Sequence, residues 1–557
     1  MADTGAGLVG YWKLAGDCID YSGMGNHGKN HGADLTAAGP DSRAQGAAGF
    51  NGRDSYVEVP DSPSLRFGSA GISVSVWVRT DRALDDLPGD ILSKYDPERR
   101  MGFTLGIQNH ASAVNSQSNY RNLHFGLDNR LIEPSWTDCG RPGNARFVHA
   151  LAVGGGDLYA GTYEAGADEV GHVYRYAGEA DWVDCGIPVA CNAVRSLAFY
   201  EGKLYAGTTS HAGRGSLQPD SLNRTPGGTV YRYEGGTEWV DCGKPGGEHS
   251  ASVPGLIVFN GYLYAHANGA YSSSSNGVYR YEGGKRWTYC GTPRGSWAMS
   301  TFNGDLFCVG GYGGGMNTPV IAMSRYDGHT GWTPCGSVPN TVQVYAIAIY
   351  EGELYAGTWP TGTVFRWDGG EGWTDCGRLG DELEVMGMMV YNGKLYAGTL
   401  PLAQVYRYEG DTSWTCVGRL DMTPDAAYRR AWSMAVYQGR LYCGTLPAGH
   451  VYSLEAGRNV THDFELGPGW RHLAAVKDDE RPCRLRLYVD GEQVGTSTPF
   501  NGYEAYISND RPLKIGFGPQ DYFKGSLAEL RVYNRSLTAS EVAALYDQEK
   551  KGTQASI

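Results

Sequence analysis

The chain has 557 residues and carries 47 Lys plus Arg against 60 Asp plus Glu, a formal net charge of −13 at pH 7. This length exceeds what one hydrophobic core usually supports, and the acidic balance argues against nucleic acid or an anionic membrane surface as a partner, because both favour a basic footprint. The 82 Gly residues, with 38 Tyr, 14 Trp and 14 Phe, predict many tight turns between short strands and therefore an all-β protein.

Neither a spanning helix nor a signal peptide is predicted. No apolar run approaches the ~18 residues that a membrane-spanning helix needs. The opening residues Met1–Gly5 lack the basic and apolar regions of a signal peptide. We therefore expect no membrane partner, and two locations stay open: the cytoplasm, or secretion after removal of a signal.

Residues 1–134 are predicted to form the first half of a β-sandwich. They contain Gly10-Tyr-Trp-Lys-Leu14, the turn-rich stretch Asp20-Tyr-Ser-Gly-Met-Gly-Asn26-His-Gly28 and the alternating run Ile72–Val78. Such alternation is typical of a strand with one buried face.

A phrase that recurs seven times organises residues 135–455. One part is Leu-Tyr-Ala-Gly-Thr or a near copy, which begins at Leu158, Leu204, Leu263, Leu306, Leu354, Leu395 and Leu441. A second part resembles Val-Tyr-Arg-Tyr, and a third is a Trp followed shortly by Cys and Gly. With the apolar strand before each Leu-Tyr, each repeat holds four short strands, which we name A to D in chain order. This is the content of one β-propeller blade.

The repeat count predicts a closed ring of seven blades. The first repeated element is a lone strand D at Trp136, and the last repeat lacks a strand D after Val451. The leading strand can therefore complete the final blade and leave no unpaired edge. The repeat resembles the kelch type of propeller, except that most blades here read Gly-Thr where kelch blades carry Gly-Gly.

Residues 456–557 supply the second half of the sandwich. They contain Gly469-Trp-Arg-His-Leu473, Leu485–Gly491 and Phe523–Leu537, and Thr538 with Glu541 forms a capping box that predicts a closing helix. Together the two terminal regions resemble one laminin-G-like, concanavalin-type jelly roll. The fold class is therefore all-β, with a seven-bladed propeller inserted into a split β-sandwich. A closed ring brings its own ends together, which makes such an insertion feasible.

The resemblance to laminin-G-like domains implies one metal. Asp20 and Asn26 match positions where these domains often hold a structural Ca²⁺ ion with oxygen ligands. The match is partial, because Ala528 stands where relatives often have Asp. No organic cofactor is expected.

Cysteine usage indicates neither disulfides nor metal binding. Seven of the 12 cysteines occupy the same position of strand D, one per blade, and no Cys-x-x-Cys occurs. Equivalent positions on neighbouring blades lie too far apart for a disulfide, so we interpret these residues as small buried apolar groups.

Functional residues are expected where the repeat is broken, on the face that carries the D–A and B–C loops. The Gly position of Leu-Tyr-Ala-Gly-Thr is occupied by His266 in blade three. Replacing Gly by His at the end of an inner strand is energetically costly if packing is its only role. The B–C loop of blade two is the longest and contains His211 and Arg214. A position near the start of strand A varies between blades, and its side chains converge on the channel mouth: His149, Arg195, Pro254, Trp297, Tyr345, Met386 and Trp432.

These residues favour a carbohydrate-active protein. Seven-bladed propellers similar to this one include polysaccharide lyases that act on uronates, and β-elimination needs a cation beside the carboxylate and a His or Tyr that removes a proton. The candidate catalytic residues are His211, His266, Arg195 and Tyr345. The candidate substrate-binding residues are His149, Arg214, Trp297, Trp359 and Trp432.

Three alternatives remain open for this site. A glycoside hydrolase needs two opposed carboxylates, and the acids on this face include Glu164, Glu248, Glu382, Glu384 and Asp421. A non-catalytic glycan-binding protein would use the aromatic residues for sugar stacking. A protein-interaction scaffold is the third alternative. The fold alone does not decide among these functions. The expected partner is a polysaccharide or oligosaccharide.

Overall fold

The computed structural model describes residues 5–40, 45–83, 88–111, 114, 116–131, 135–164, 169–211, 218, 220–269, 276–294, 298–309, 320–321 and 323–554. Arg214 and Trp297 lie outside the described residues. Within them, regular structure is almost entirely β-strand. The strands before the propeller are β1 (Leu8–Trp12), β2 (Lys29–His31), β3 (Asp34–Ala37), β4 (Ala47–Asn51), β5 (Tyr56–Val59), β6 (Ile72–Thr80), β7 (Gly89–Asp96), β8 (Met101–Gln108) and β9 (Asn122–Asn129).

The propeller strands follow in chain order. The leading strand and the first three blades comprise β10 (Ser135–Asp138), β11 (Phe147–Gly154), β12 (Asp157–Tyr163), β13 (Val173–Gly178), β14 (Asp181–Asp184), β15 (Ala193–Tyr200), β16 (Lys203–Thr209), β17 (Val230–Gly235), β18 (Glu238–Asp241), β19 (Ser250–Phe259), β20 (Tyr262–Gly269), β21 (Gly277–Tyr281) and β22 (Trp287–Tyr289). Blades four and five comprise β23 (Met299–Phe302), β24 (Asp305–Val309), β25 (Val320–Ile321), β26 (Met323–Tyr326), β27 (Trp332–Pro334), β28 (Ser337–Val338), β29 (Gln343–Tyr350), β30 (Glu353–Trp359), β31 (Thr363–Trp367) and β32 (Trp373–Arg378). The last two blades comprise β33 (Glu384–Tyr391), β34 (Lys394–Leu400), β35 (Gln404–Gly410), β36 (Ser413–Arg419), β37 (Arg430–Tyr437), β38 (Arg440–Leu446) and β39 (Val451–Glu455).

The chain then returns to the sandwich. Its remaining elements are β40 (Arg458–His462), β41 (Gly469–Lys477), β42 (Leu485–Val489), β43 (Glu492–Thr496), β44 (Leu513–Ile515), β45 (Lys524–Tyr533) and helix α1 (Ala539–Gln554). Short 3-10 turns occur at Pro63–Leu65, Gly247–His249 and Gly502–Ala505. The predicted capping box is confirmed, because the Glu541 backbone N–H donates to Thr538 Oγ1 and the Thr538 N–H donates to Glu541 Oε2. No described helix is long and apolar enough to cross a membrane.

The described propeller strands pair into seven four-stranded antiparallel units. Strand β10 pairs with β39, with Ser135 opposite Glu455 and Asp138 opposite Tyr452, which is the closure that the repeat count predicts. Single residue pairs, Tyr163 with Ala193 and Thr209 with Ser252, join the first three units.

The repeated Trp of strand D connects neighbouring blades. In six blades its indole N–H donates to the backbone carbonyl of the strand D Cys in the preceding blade, as between Trp239 and Cys185 at 2.9 Å. All 12 cysteines are free thiols. The prediction that the strand D cysteines are buried is confirmed for six of them and wrong for Cys416, which is exposed.

The two terminal regions interleave in two sheets around one core. One sheet has the order β3-β4-β45-β6-β41-β42-β43, with β1 beside β45, and the other has the order β2-β5-β44-β7-β8-β9-β40. Strands from the end of the chain thus lie between strands from its beginning. Because β9 and β40 are paired neighbours, the propeller occupies the connection between two adjacent strands of the sandwich.

A segment of the sandwich fills the channel of the propeller. The segment between β8 and β9 runs along the A strands: Ser118 O accepts from Val153 N–H, and Gln117 Oε1 accepts from Val258 N–H. The Asn119 amide accepts from the Val436 N–H at 2.9 Å and donates to the Val436 carbonyl at 2.7 Å. The channel is therefore closed on the side of the sandwich.

Candidate functional site

A recess at the start of the A strands brings several of the predicted residues together; we call it the pit. Its floor includes Val114 of the channel-filling segment, which belongs to the same apolar cluster as Met386 and Trp432. Among the described residues, Val114 therefore closes the pit on the side of the sandwich. The channel is filled on the side of the sandwich, whereas its opposite end keeps polar side chains such as His211 and Arg195.

A β-bulge in strand A explains why these side chains point into the pit. In blade one, Val148 pairs with Thr162 and Ala150 with Gly161, so His149 is the extra residue. The same irregularity places Arg195 in blade two and Tyr345 in blade five. Bulges re-aim a side chain and are frequent beside active sites.

Aromatic rings form one wall of the pit. The Trp432 ring centroid lies 6.3 Å from that of His149 and 5.6 Å from that of Tyr345. The Trp432 indole N–H donates to the His149 carbonyl at 3.1 Å, which fixes the orientation of the indole. His211 stacks edge-on against His149 and Tyr163, each at 4.8 Å.

Three imidazoles of the pit are neutral. Burial, with smaller contributions from nearby positive charge, lowers the pKa of His211 and of His266 to about 3 and that of His149 well below its ordinary value. Within the described structure, neither ring nitrogen of His149 or His266 has a hydrogen-bond partner, and His211 Nε2 also has none. Unpaired buried nitrogens of this kind are costly, which makes these histidines candidates for a functional role.

Among the described residues, the pit also contains two guanidinium groups and one carboxyl group. Burial lowers the pKa of Arg195 to about 10, so Arg195 stays protonated at neutral pH. Arg430 lies with its guanidinium carbon 5.6 Å from the Trp432 ring centroid. Burial raises the pKa of Glu384 to about 8, with Arg430 opposing the shift, so Glu384 is protonated at neutral pH. The pit is therefore cationic at pH 7.

Solvent reaches some of the side chains of the pit. His211, Arg195 and Tyr345 lie deep in the protein, where burial dominates their pKa shifts, yet each retains accessible surface. His149, His266 and Trp432 are almost completely buried. The first three residues therefore line the recess, and the other three lie behind them.

His266 replaces a glycine that other blades need. In blades one, two, five, six and seven a methyl group at that Gly would lie within 3 Å of strand A of the next blade, as between Gly398 and the Ala431 carbonyl at 2.3 Å. For His266 of blade three, the corresponding residue in strand A of blade four is Ser296, which is outside the described residues. His266 lies in β20, and its charge environment includes Arg195.

The remaining predicted residues have other surroundings. Trp359 ends β30, half-buried and opposite Gln343. Glu164 accepts a hydrogen bond from Thr162 Oγ1 in β12. Glu382 and Asp421 accept from the backbone N–H groups of Leu402 and Ala448, which lie in loops of blades six and seven, and Glu248 is exposed. Sequence reasoning missed Arg430 and gave Glu384 no special role. Arg430 lies two residues before Trp432, and Glu384 lies two residues before Met386. Extending the alignment of the A strands by two residues toward their N-terminal ends would have found both.

The side chains of Asp20 and Asn26 make hydrogen bonds within the protein. The Asp20 carboxylate accepts hydrogen bonds from the backbone N–H groups of Tyr11, Ser22 and Asn26 and from the Ser22 hydroxyl. Asn26 Nδ2 donates to the Val9 carbonyl. These hydrogen bonds use the Asp20 carboxylate oxygens within the protein, and the calcium site stays a prediction. Among the described residues, no group of three or more His, Cys, Asp or Glu is placed to hold a metal.

One family model matches part of the chain. A family model described as the concanavalin A-like lectin/glucanases superfamily matches residues 432–543, which cover much of the second half of the sandwich and extend into the last blade. No curated protein matches the sequence. The chain is an all-β protein that combines a propeller of four-stranded units with a two-sheet sandwich.

Several solved structures are distantly similar. YCF48 bound to a D1 peptide is 13% identical with a TM-score of 0.39 over 58% of this chain and 97% of its own. A virginiamycin B lyase from Staphylococcus aureus is 12% identical with a TM-score of 0.40 over 58% of this chain and 99% of its own. A protein of unknown function from Bacteroides thetaiotaomicron is 12% identical with a TM-score of 0.35 over 72% and 94%. Likeness at this level gives no information on activity.

Proposed function

We propose that the pit binds a uronate-containing polysaccharide and cleaves it by β-elimination. The observation that carries this proposal is the combination of two guanidinium groups with neutral, unpartnered imidazoles around one recess. A cationic recess attracts a carboxylate, and a neutral imidazole can accept a proton.

The residues suggest one division of roles. Arg195 and Arg430 offset the charge of the uronate carboxylate, which makes the adjacent C5–H bond more acidic. His211, the imidazole with accessible surface, takes the C5 proton, and the bound carboxylate stabilises the imidazolium that forms. Burial raises the pKa of Tyr345 to about 12, so its hydroxyl is protonated and can donate to the leaving oxygen on C4. The C5–H and C4–O bonds break as a C4=C5 double bond forms.

Hydrolysis by two carboxylates has less support. Among the described acids, Glu384 is beside the pit, whereas Glu164, Glu382 and Asp421 are held by hydrogen bonds elsewhere. A glycosidase needs a second carboxyl group across the same bond.

The experiment is an incubation with a panel of uronate polysaccharides, followed by ultraviolet absorbance of the unsaturated product. We expect absorbance with wild type, and a loss of turnover of about 10²-fold or more in His211→Ala and Tyr345→Phe. His329→Ala, an exposed histidine of blade four, should match wild type. New reducing ends without absorbance would mean hydrolysis, and binding without product would mean a lectin. Either result contradicts the proposal.

A further inference from the structure

The longest connection between a strand B and a strand C carries His211. It runs from the end of β16 at Thr209 to the start of β17 at Val230, and His211 is its second residue. A connection of this length has many accessible conformations, so a functional side chain on it needs a backbone that other residues hold in place. The side chain of Asn192 makes the contacts that do so.

Asn192 binds the backbone of His211 in both directions. The His211 N–H donates to Asn192 Oδ1 at 2.7 Å, and Asn192 Nδ2 donates to the His211 carbonyl at 3.0 Å. The same Nδ2 donates to the Asn223 carbonyl at 3.3 Å, on the part of the connection that returns to β17. One amide therefore ties the outgoing and returning parts of the connection together.

Other contacts hold Asn192 and the returning part in place. Asn192 is 1% exposed, and its backbone carbonyl accepts from the Glu164 N–H of blade one at 3.1 Å. Asn223 Nδ2 donates to the carbonyls of Glu169 and Ala190, each at 3.1 Å. Removing the Asn192 amide would therefore release His211 and leave these contacts available.

An asparagine at this position is specific to blade two. Asn192 lies three residues before Arg195, the variable position of strand A. The residues three before the variable position in the other blades are Arg146, Ala251, Arg294, Val342, Leu383 and Arg429. Asparagine is thus not a requirement of blade packing, and it occurs in the blade that carries His211.

Aromatic rings enclose the imidazole of His211. The ring centroids of His149 and Tyr163 lie 4.8 Å from that of His211, and the Phe147 centroid lies 6.1 Å away, all three edge-on. The backbone contacts and these rings together restrict the orientation of the imidazole. A general base needs this restriction, because it acts only within hydrogen-bond reach of the proton that it removes.

We propose that Asn192 is a positioning residue for His211. By holding the His211 backbone, it keeps the imidazole at the place in the pit where the substrate proton is removed. The role in catalysis rests on the proposed function, whereas the restraint on His211 does not depend on any reaction.

Hydrogen–deuterium exchange of the full chain, without substrate, tests the restraint. In Asn192→Ala the His211 amide loses its acceptor, so peptides that contain His211 should exchange at least about tenfold faster. Asn276→Ala is the matched control, because Asn276 Oδ1 accepts from the Gly269 N–H at 2.8 Å across the B–C connection of blade three. It should speed exchange near Gly269 only. Unchanged exchange at His211 in Asn192→Ala would overturn the inference.

The titration of His211, followed by NMR on chain labelled in its histidines, is the second readout. Burial, with the charges of Arg195 and Arg430, lowers the pKa of His211 to about 3, and the other titratable groups that pack against its ring are those of His149 and Tyr163. Wild-type His211 should therefore stay neutral between about pH 5 and 8. In Asn192→Ala the released ring should titrate near its ordinary pKa of about 6.5. A loss of stability elsewhere would not produce this titration, and its absence would contradict a positioning role.

Kinetics with a uronate polysaccharide test the role in catalysis. Asn192→Ala leaves Arg195 and Arg430 in place, so KM should stay within about twofold while kcat falls about 10- to 100-fold. Asn192→Asp should have an intermediate effect, because it keeps an oxygen that accepts from the His211 N–H and loses both donated bonds. This variant also serves as the test if Asn192→Ala does not fold.

The failure of the lyase proposal and the failure of this inference give different results. If wild type has no turnover, the lyase proposal is wrong, and the exchange and titration data alone decide whether Asn192 positions His211. If wild type is active and Asn192→Ala keeps its kcat, Asn192 is not a positioning residue.

Discussion

At the scale of single residues, burial sets the protonation states of the pit. An imidazolium far from water is unfavourable, so His149, His211 and His266 stay neutral, whereas Arg195 keeps its charge. A buried carboxyl is likewise kept protonated, as at Glu384. The result is a recess with fixed positive charge and neutral proton acceptors.

Glu384 gives the pit a predicted pH dependence. Because its pKa is raised to about 8, the carboxyl is neutral below that pH and becomes a carboxylate above it. The added negative charge would repel an acidic substrate, so kcat/KM should fall by roughly tenfold from about pH 7 to about pH 9. Glu384→Gln should remove this alkaline decline.

The control for this prediction is Glu248→Gln, an exposed acid on the same face. It should leave the pH profile unchanged. If Glu384→Gln kept the decline, another group would control the alkaline limb.

At the scale of the strand, the repeat separates positions that build blades from positions that vary. The alignment of seven A strands predicts that their variable side chains converge, and the structure places His149, Arg195, Tyr345 and Trp432 around one recess. The alignment needs no long-range information, because the same single-residue bulge recurs in blades one, two and five. The floor supplied by Val114 could not be predicted this way, since it comes from another domain distant in sequence.

The repeated glycine of strand B leads to a stability prediction. A methyl group at Gly207 would lie 2.3 Å from Ser196 Oγ and 2.7 Å from Val253 Cγ1 of the next blade. Gly207→Ala should therefore lower the free energy of unfolding by about 1–3 kcal/mol through overpacking. Denaturant titration measures this difference.

Gly372→Ala is the matched control, because its nearest neighbour, Asp368 Cβ, would be 3.4 Å away. We expect a change within about 0.5 kcal/mol there. Equal effects at the two positions would mean that the close approach of the blades is not what requires glycine at Gly207.

At the scale of the whole molecule, the two domains depend on each other. The sandwich is completed only after the propeller has been synthesised, because β40 to β45 follow it in the chain. The propeller in turn contains Ser116 to Asn119 of the sandwich along its axis. Contacts between such distant segments raise the entropy cost of folding, so we expect the two domains to unfold together.

Asn119 is the residue through which this dependence can be tested. Its buried amide satisfies both backbone groups of Val436, and removing it would leave a buried N–H and a buried C=O without partners. Asn119→Ala should lower the free energy of unfolding by about 2–4 kcal/mol. Asn30→Ala is the control, since the exposed Asn30 side chain makes the same pair of bonds to the backbone of Ala33. Separate melting of the two domains in wild type, or equal losses in the two variants, would contradict a shared core along the channel.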